Sequence, residues 1–218
     1  MLAQIILILV IILLLLWFRN LQQETLFYTT ASYPQLKILE DNFKTILAEI
    51  PSFDPEKNYP KRNTSWPTNL SKSDFEAYLK ENIRSEWCQG WQGDHVWYNF
   101  PLIYNDQVID KSSEICPETI KLLQQIPGKQ IVGYSLLLPN GSLSPHRDPT
   151  GKRFGSMAGN MLLTENDSAN LIVNDQVYKH SQGKMVIFDS TDLHSADNND
   201  QSIRVILYID FKVPNTGT

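Results

Sequence analysis

The chain has 218 residues, which suits one domain of catalytic size. Its 19 basic and 24 acidic residues give a net charge of −5, which argues against a general nucleic-acid binder, because such a protein needs a surplus of Lys and Arg. Two cysteines, Cys88 and Cys116, are too few for a disulfide-rich scaffold or a multi-cysteine zinc site.

The first 18 residues are long enough and apolar enough to cross a bilayer as a helix. All of them except Gln4 are apolar, and Trp17 and Phe18 suit the membrane interface. We therefore predict a single-pass membrane protein with its anchor at residues 1–18. A cleaved signal peptide is the alternative, but no basic residue precedes the apolar run.

The rest of the chain is predicted to form a polar connector over residues 19–33 and one domain over residues 34–214. Arg19 and Lys37 follow the anchor and favour a cytosolic domain. Four N-x-S/T sequons favour the lumenal side, although about two are expected by chance from the Asn, Ser and Thr content. The side of the membrane is therefore undetermined.

Helical patterns come first in the domain. Between Pro34 and Ile50, apolar residues recur largely at three- and four-residue steps, which predicts an amphipathic helix. A loop rich in Pro, Asn, Ser and Lys follows, and then a short helix over 72–83. Another short helix is expected over 117–126, because proline suits the first helical position and Pro127-Gly128 ends the pattern.

From Lys129 onward the pattern changes to short apolar runs separated by polar turns. The predicted strands cover residues 130–138, 160–164, 169–174, 184–189 and 203–212. Short strands without intervening helices indicate a mainly β fold, a sandwich or a jelly roll, rather than a parallel α/β sheet.

Two histidines and one aspartate form a candidate metal site. In an extended segment His146 and Asp148 point to the same side, and His194 follows the buried-looking strand Met185–Phe188. Two imidazoles and one carboxylate are the ligand set of non-haem Fe(II) oxygenases, which leaves coordination positions open. Taken alone, the H-x-D sequence also fits a surface turn with an aspartate cap.

A buried-looking arginine lies ten residues after His194. Arg204 lies near the start of the apolar strand Ile203–Ile209, where an unpaired cation is costly to bury and a bidentate carboxylate partner would satisfy the guanidinium. A dicarboxylate cosubstrate fits this role. The alternative is a structural ion pair with Asp189 or Asp192.

These motifs resemble the aspartyl/asparaginyl β-hydroxylase family of Fe(II)/2-oxoglutarate dioxygenases. The resemblance rests on the segments Ser144–Pro149 and Val186–His194, with Arg204 ten residues on, and it extends upstream to Tyr33–Phe43 and Cys116–Leu123. The H-R-D-P sequence is most similar to the branch that contains a bacterial lipid A acyl-chain hydroxylase. The resemblance implies a double-stranded β-helix (jelly roll) core with flanking helices, behind the N-terminal transmembrane helix.

The resemblance also implies roles for individual residues. His146, Asp148 and His194 would bind Fe(II), and Arg204 and Ser135 would bind 2-oxoglutarate. The family usually carries an R-x-H pair on the next strand, but here that stretch reads Phe154 to Asn160. We assign the role of the missing arginine to Arg153, whose alternative is a solvated loop cation.

Six further residues are aromatic residues or histidines near these motifs. The aromatic residues Trp91, Trp97, Tyr134 and Tyr208 would either line the pocket or pack in the core. His95 is predicted to lie in a loop, and His180 is predicted to be an exposed turn residue.

Three interpretations follow from the sequence. The first is a membrane-anchored hydroxylase that uses 2-oxoglutarate and O2. Its substrate would be an Asp/Asn side chain of a protein or, alternatively, a lipid acyl chain. The second is a catalytically degenerate jelly-roll binding module, which the missing R-x-H pair permits. The third is a purely structural anchored domain.

Overall fold

The computed structural model describes residues 25–61, 83–90, 95–148 and 156–213, together with Asp74, Ala77 and Glu81. The predicted anchor at residues 1–18 and the candidate Arg153 lie outside these residues. Among the described residues, no helix combines the length and the apolar character needed to cross a membrane.

The described residues form antiparallel strands in two sheets. The strands are β1 (Cys88–Gln89), β2 (Trp97–Tyr104), β3 (Gln107–Val108), β4 (Lys129–Leu137), β5 (Ser142–His146), β6 (Ser156–Leu162), β7 (Ala169–Val173), β8 (Gln176–Lys179), β9 (Met185–Phe188), β10 (His194–Asn198) and β11 (Arg204–Lys212). The larger sheet has the order β1-β2-β4-β11-β6-β9, with β3 paired to β2, and the smaller sheet has the order β5-β10-β7-β8.

Strands β4 to β11 form a jelly roll. They pair first with last, so that β4 joins β11, β5 joins β10, β6 joins β9 and β7 joins β8. This is the pairing of one long hairpin rolled into two facing sheets. The predicted mainly β, jelly-roll fold is therefore confirmed by the strand order itself.

The side chains of strand β11 point alternately to the two faces of the larger sheet. Val205, Leu207 and Ile209 belong to the main hydrophobic core together with apolar residues of the helices. Because side chains alternate along a strand, Arg204 and Tyr208 point to the other side, into the space between the two sheets. The candidate site lies on that inner side.

The helices pack on the outer face of the larger sheet. They are α1 (Lys37–Asp41), α2 (Phe43–Ala48), α3 (Ser112–Ile115) and α4 (Pro117–Gln124), and a short 3₁₀ turn (Pro34–Leu36) precedes α1. The prediction of one helix from Pro34 to Ile50 is wrong, because the chain leaves the helical conformation at Asn42. There the side-chain Nδ2 donates to the carbonyl oxygen of Ile38, a local bond that competes with the helix. The predicted helix over 117–126 is confirmed as α4.

Six of the eleven strands among the described residues escaped prediction, namely β1, β2, β3, β5, β8 and β10. Strand β2 contains Pro101 and is irregular between Pro101 and Ile103, a position at which a sheet tolerates proline. Strand β10 is mostly polar, so its hydropathy pattern did not predict a strand.

The segment before the domain contacts it. Within the predicted connector, Tyr28 forms a bridge with Ile187 of β9, through backbone hydrogen bonds of 2.7 and 2.9 Å. Leu26 and Phe27 pack against the apolar cluster that includes Val186 and Phe188. Residues 26–28 thus lie against the edge strand β9 of the larger sheet.

Candidate active site

Three of the predicted site residues come together at one end of the smaller sheet. One possible ligand atom from each of His146, Asp148 and His194 lies within 4.8 Å of the other two. The Nε2 atoms of His146 and His194 are each 3.9 Å from a carboxylate oxygen of Asp148. This spacing allows all three side chains to bind a single ion.

The strand register explains this convergence. His146 ends β5 and His194 begins β10, and the two residues are directly opposite each other in the antiparallel pair. Their rings are 4.2 Å apart between centroids. Asp148 lies two residues beyond His146, and its backbone N–H donates to the carbonyl oxygen of Ser190 at 2.8 Å. The loop before β10 therefore fixes the position of Asp148.

Both histidines have Nε2 on the side of the Asp148 carboxylate. Nδ1 of His146 is 2.8 Å from the carbonyl oxygen of Ser144, and Nδ1 of His194 is 2.9 Å from that of Asp192. Because a carbonyl only accepts, each Nδ1 carries the hydrogen and each Nε2 presents its lone pair. Burial lowers the pKa of His194, which favours the neutral imidazole that metals require.

Arg204 is buried on the inner side without a carboxylate partner. Arg204 is 2% exposed, and its Nε has no hydrogen-bond partner among the described residues. No described carboxylate lies within ion-pair distance, so the predicted alternative of a pair with Asp189 or Asp192 is wrong. Desolvation lowers the pKa of Arg204 to about 10, which leaves the guanidinium charged at neutral pH. An anionic ligand would supply the missing partner.

Ser135 lies on the same inner face as Arg204. Arg204 is opposite Leu137 on β4, and Ser135 is opposite Ile206, two residues along each strand. Ser135 and Arg204 are therefore diagonal neighbours across β4 and β11. The Oγ of Ser135 accepts a hydrogen bond from Nε1 of Trp97 at 2.8 Å, which orients the serine towards the site.

His180 is a site residue that the sequence did not reveal. The prediction that it is an exposed turn residue is wrong, because His180 is 4% exposed and its Nε2 is 3.3 Å from Nη2 of Arg204. Burial and the positive charge of Arg204 lower the pKa of His180 well below its usual value. The neutral ring accepts from the guanidinium and orients it.

Tyr208 and Asp210 form a second polar contact with the metal-ligand cluster. The hydroxyl of Tyr208 donates to Oδ1 of Asp210 at 2.8 Å and lies 3.4 Å from Oδ2 of Asp148. Desolvation raises the pKa of Asp210 to about 7. Only Tyr208 was considered from the sequence, because an Asp near the end of an apolar strand carries no motif.

The remaining aromatic candidates divide between core and site. Tyr134 packs in the hydrophobic core, and its hydroxyl contacts Thr119 of α4, on the opposite side of the sheet from Tyr208. Trp97 reaches the site through Ser135. His95 lies outside the strands, as predicted, and is exposed, and Trp91 lies outside the described residues.

The donor set defines the chemistry that the site can perform. Two neutral imidazoles and one carboxylate on one side of an ion suit a mononuclear non-haem Fe(II) centre with open positions. The unpartnered guanidinium on the same inner face suits a carboxylate ligand. A jelly roll with these groups is an arrangement suited to an iron-dependent oxygenase.

The family follows from the sequence as a whole. Residues 40–214 match the family model described as Aspartyl/Asparaginyl beta-hydroxylase. The chain therefore belongs to the aspartyl/asparaginyl β-hydroxylase family, as its motifs predicted.

Relatives of the chain carry two kinds of name. The ornithine lipid ester-linked acyl 2-hydroxylase of Rhizobium tropici is 26% identical over 187 residues, which cover 86% of this chain and 60% of that protein. The aspartate beta-hydroxylase domain-containing protein 2 of Xenopus tropicalis is 25% identical over 204 residues, which cover 88% of this chain and 48% of that protein. The chain thus spans 48% to 60% of the length of these relatives.

Solved structures overlap the chain only loosely. An oxidoreductase of the 2OG-Fe(II) oxygenase family from Burkholderia pseudomallei aligns with a TM-score of 0.42 and 12% identity, over 64% of this chain and 76% of that one. An overlap of this quality carries no argument about function.

Proposed function

We propose that the protein is an Fe(II)- and 2-oxoglutarate-dependent hydroxylase. The observation that carries the proposal is the placement of a His-Asp-His cluster and a buried, carboxylate-free arginine on the inner side of one jelly roll. An ion pair within the protein would have satisfied Arg204, and no described residue provides one. Membership of a hydroxylase family supports the same reaction class.

Each residue has a defined task in this proposal. His146, Asp148 and His194 hold Fe(II), and Arg204 binds the distal carboxylate of 2-oxoglutarate, with Ser135 as a further hydrogen-bonding partner. When bound, Fe(II) supplies the redox chemistry by which O2 and 2-oxoglutarate hydroxylate an unactivated C–H bond, one oxygen atom entering the product and the other succinate, while CO2 leaves. Arg153 remains the proposed second anchor for the cosubstrate.

Two substrate classes are candidates. An Asp/Asn side chain of a protein is supported by the family description. A lipid acyl chain is supported by the relative from Rhizobium tropici, which matches 86% of this chain. We further propose that residues 1–18 anchor the domain of residues 34–214 at a membrane through the connector of residues 19–33.

The experiment that tests this function measures succinate formation. The full chain is supplied with Fe(II), 2-oxoglutarate and O2, first alone and then with asparaginyl peptides or lipids. We expect turnover that is lost in His146→Ala and Asp148→Ala. His95→Asn is the matched control, because His95 is exposed and has a φ of 53° that asparagine tolerates. Binding of iron and 2-oxoglutarate without any succinate would instead identify a binding module.

A further inference from the structure

A cavity of about 170 Å³ lies along β2 and β4. Residues of the segment before β2 cover it, and the short strand β3 adds to its wall through the neighbouring residue Ile109. Two of the aromatic residues considered from the sequence, Tyr134 and Tyr208, line it.

The walls of the cavity are mainly apolar. Ile83, Ile103 and Ile109 line it and are 9%, 1% and 4% exposed, respectively. The charged residues that line it in the described part of the chain, Lys61, Arg84 and Glu86, are all exposed. Because exposed lining residues lie where a cavity meets solvent, the charges mark its opening and the isoleucines its interior.

The inner end of the cavity adjoins the candidate metal ligands. Tyr208 lines the cavity, and its hydroxyl lies 3.4 Å from Oδ2 of Asp148. Asn99 also lines the cavity and is directly opposite Ser135 across β2 and β4. The cavity therefore adjoins the metal ligands through Tyr208 and the cosubstrate side through Asn99, and none of the proposed metal or cosubstrate ligands in the described part of the chain lines it.

Asn99 provides a polar contact inside these apolar walls. Its Nδ2 is buried and has no hydrogen-bond partner among the described residues. A carbonyl oxygen of an ester or amide can accept from this N–H. An apolar pocket with one directed polar group is the usual design of a site for an amphipathic small molecule.

We propose that this cavity binds the acyl chain of a lipid and so holds the lipid beside the metal site. The inference rests on the proposed function and selects the lipid over the protein substrate. An Asp or Asn side chain is short and polar, so it would leave the isoleucine walls uncovered. An acyl chain covers them, and each methylene that enters strengthens binding about fourfold.

Cys88 allows the occupant to be detected without turnover. Cys88 lines the cavity and is partly exposed, whereas Cys116, the other cysteine of the chain, is fully buried. Iodoacetamide should therefore alkylate Cys88 and spare Cys116. A chain bound in the cavity should slow this reaction, even in metal-free protein.

The test measures Cys88 alkylation in the full chain, kept in solution by an amphipathic polymer. Saturated fatty acids of about 8 to 16 carbons form one arm, a range from short to membrane-length chains. Lysophosphatidylcholines with the same chains form the other arm, because free and headgroup-linked chains are both possible sources. We expect at least tenfold protection that grows with chain length and then levels off when the cavity is full. Asparaginyl peptides should give none.

A wall variant makes the test specific. Ile131→Trp places a larger side chain in the cavity wall, from a strand residue that is only partly buried. Ile172→Trp is the matched control on β7, because Ile172 is partly buried in a strand outside the cavity. We expect Ile131→Trp to weaken protection at least tenfold and Ile172→Trp to leave it unchanged.

The outcomes separate this inference from the proposed function. Protection that is absent at every chain length, or that is equal in both tryptophan variants, overturns the acyl-chain inference. If such a protein still forms succinate with an asparaginyl peptide, the proposed function stands and the substrate is a protein. Chain-length-dependent protection without succinate formation under any condition supports acyl-chain binding and contradicts the hydroxylase proposal.

Discussion

Replacing Arg204 by methionine should separate cosubstrate binding from folding. Arg204 is 2% exposed and lacks a described carboxylate partner, so the wild-type fold carries a desolvated positive charge. Methionine removes that charge and fills similar space. The desolvation energy that is recovered when the buried charge is removed offsets the cost of about 1–3 kcal/mol for leaving Nε2 of His180 without its donor. We expect the free energy of unfolding to stay within about 1 kcal/mol of the wild-type value.

Binding of 2-oxoglutarate should respond very differently. Removing one partner of a buried, hydrogen-bonded charge pair costs about 2–5 kcal/mol, which weakens binding roughly 30-fold to several thousand-fold. The assay is anaerobic calorimetric titration of 2-oxoglutarate into the Mn(II)-loaded protein, with urea unfolding in parallel. The Arg204→Lys variant should bind 2-oxoglutarate more weakly than the wild type and more tightly than Arg204→Met, because lysine keeps the charge and loses the planar fork. Unchanged binding combined with a loss of more than about 3 kcal/mol of stability would refute the reasoning, since a structural ion pair behaves in that way.

Three other substitutions test the surroundings of the site and one helix. His180→Leu should weaken 2-oxoglutarate binding about 5- to 15-fold, because Arg204 loses one hydrogen bond, and a parallel fall in metal affinity would contradict this role. Asp210 has its pKa raised to about 7, so its neutral form stabilises the folded state at low pH, and the contribution of Asp210 to wild-type stability should fall by up to roughly 4 kcal/mol between about pH 4 and pH 7. Urea unfolding of the metal-free Asp210→Asn variant should show a shallower fall, and an identical slope would count against the assignment. Glu49→Gln should cost about 1 kcal/mol in urea unfolding, because the Glu49 carboxylate accepts two backbone N–H groups at the start of α4, and an unchanged midpoint would exclude this cap.

Most apolar strands could be predicted from the sequence, whereas the polar strand β10 and the proline-containing strand β2 could not. The run from Ile203 to Lys212 is mostly apolar and was predicted as a strand. In the structure β11 covers the same run except for its first residue. Strand β10 has a different composition, because its buried positions are His194, Ala196 and Asn198. Asn198 is fully buried, since its side chain donates to the carbonyl oxygens of Leu137, Leu138 and Ser202. Hydropathy contains no signal for such a residue.

Some residues of the candidate site could likewise be predicted from the sequence, and others could not. The pair His146 and Asp148 was accessible from the sequence, because a two-residue spacing in an extended segment places both side chains on one side. His180 was not, since its significance lies in a contact with Arg204, 24 residues away in the chain. The cavity beside Tyr208 was equally hidden, because its wall combines β2, β4 and β11 with the segment before β2.

Metal content is the measurement that tests the central claim most directly. The full chain is incubated anaerobically with Fe(II), freed of unbound metal and analysed for iron per chain. The wild-type protein and His95→Asn should retain one Fe(II) per chain, and the double variant His146→Ala/His194→Ala should retain none, because only Asp148 of the three ligands remains. Equal iron retention in the wild type and the double variant would contradict the assignment of the His-Asp-His cluster as the metal site.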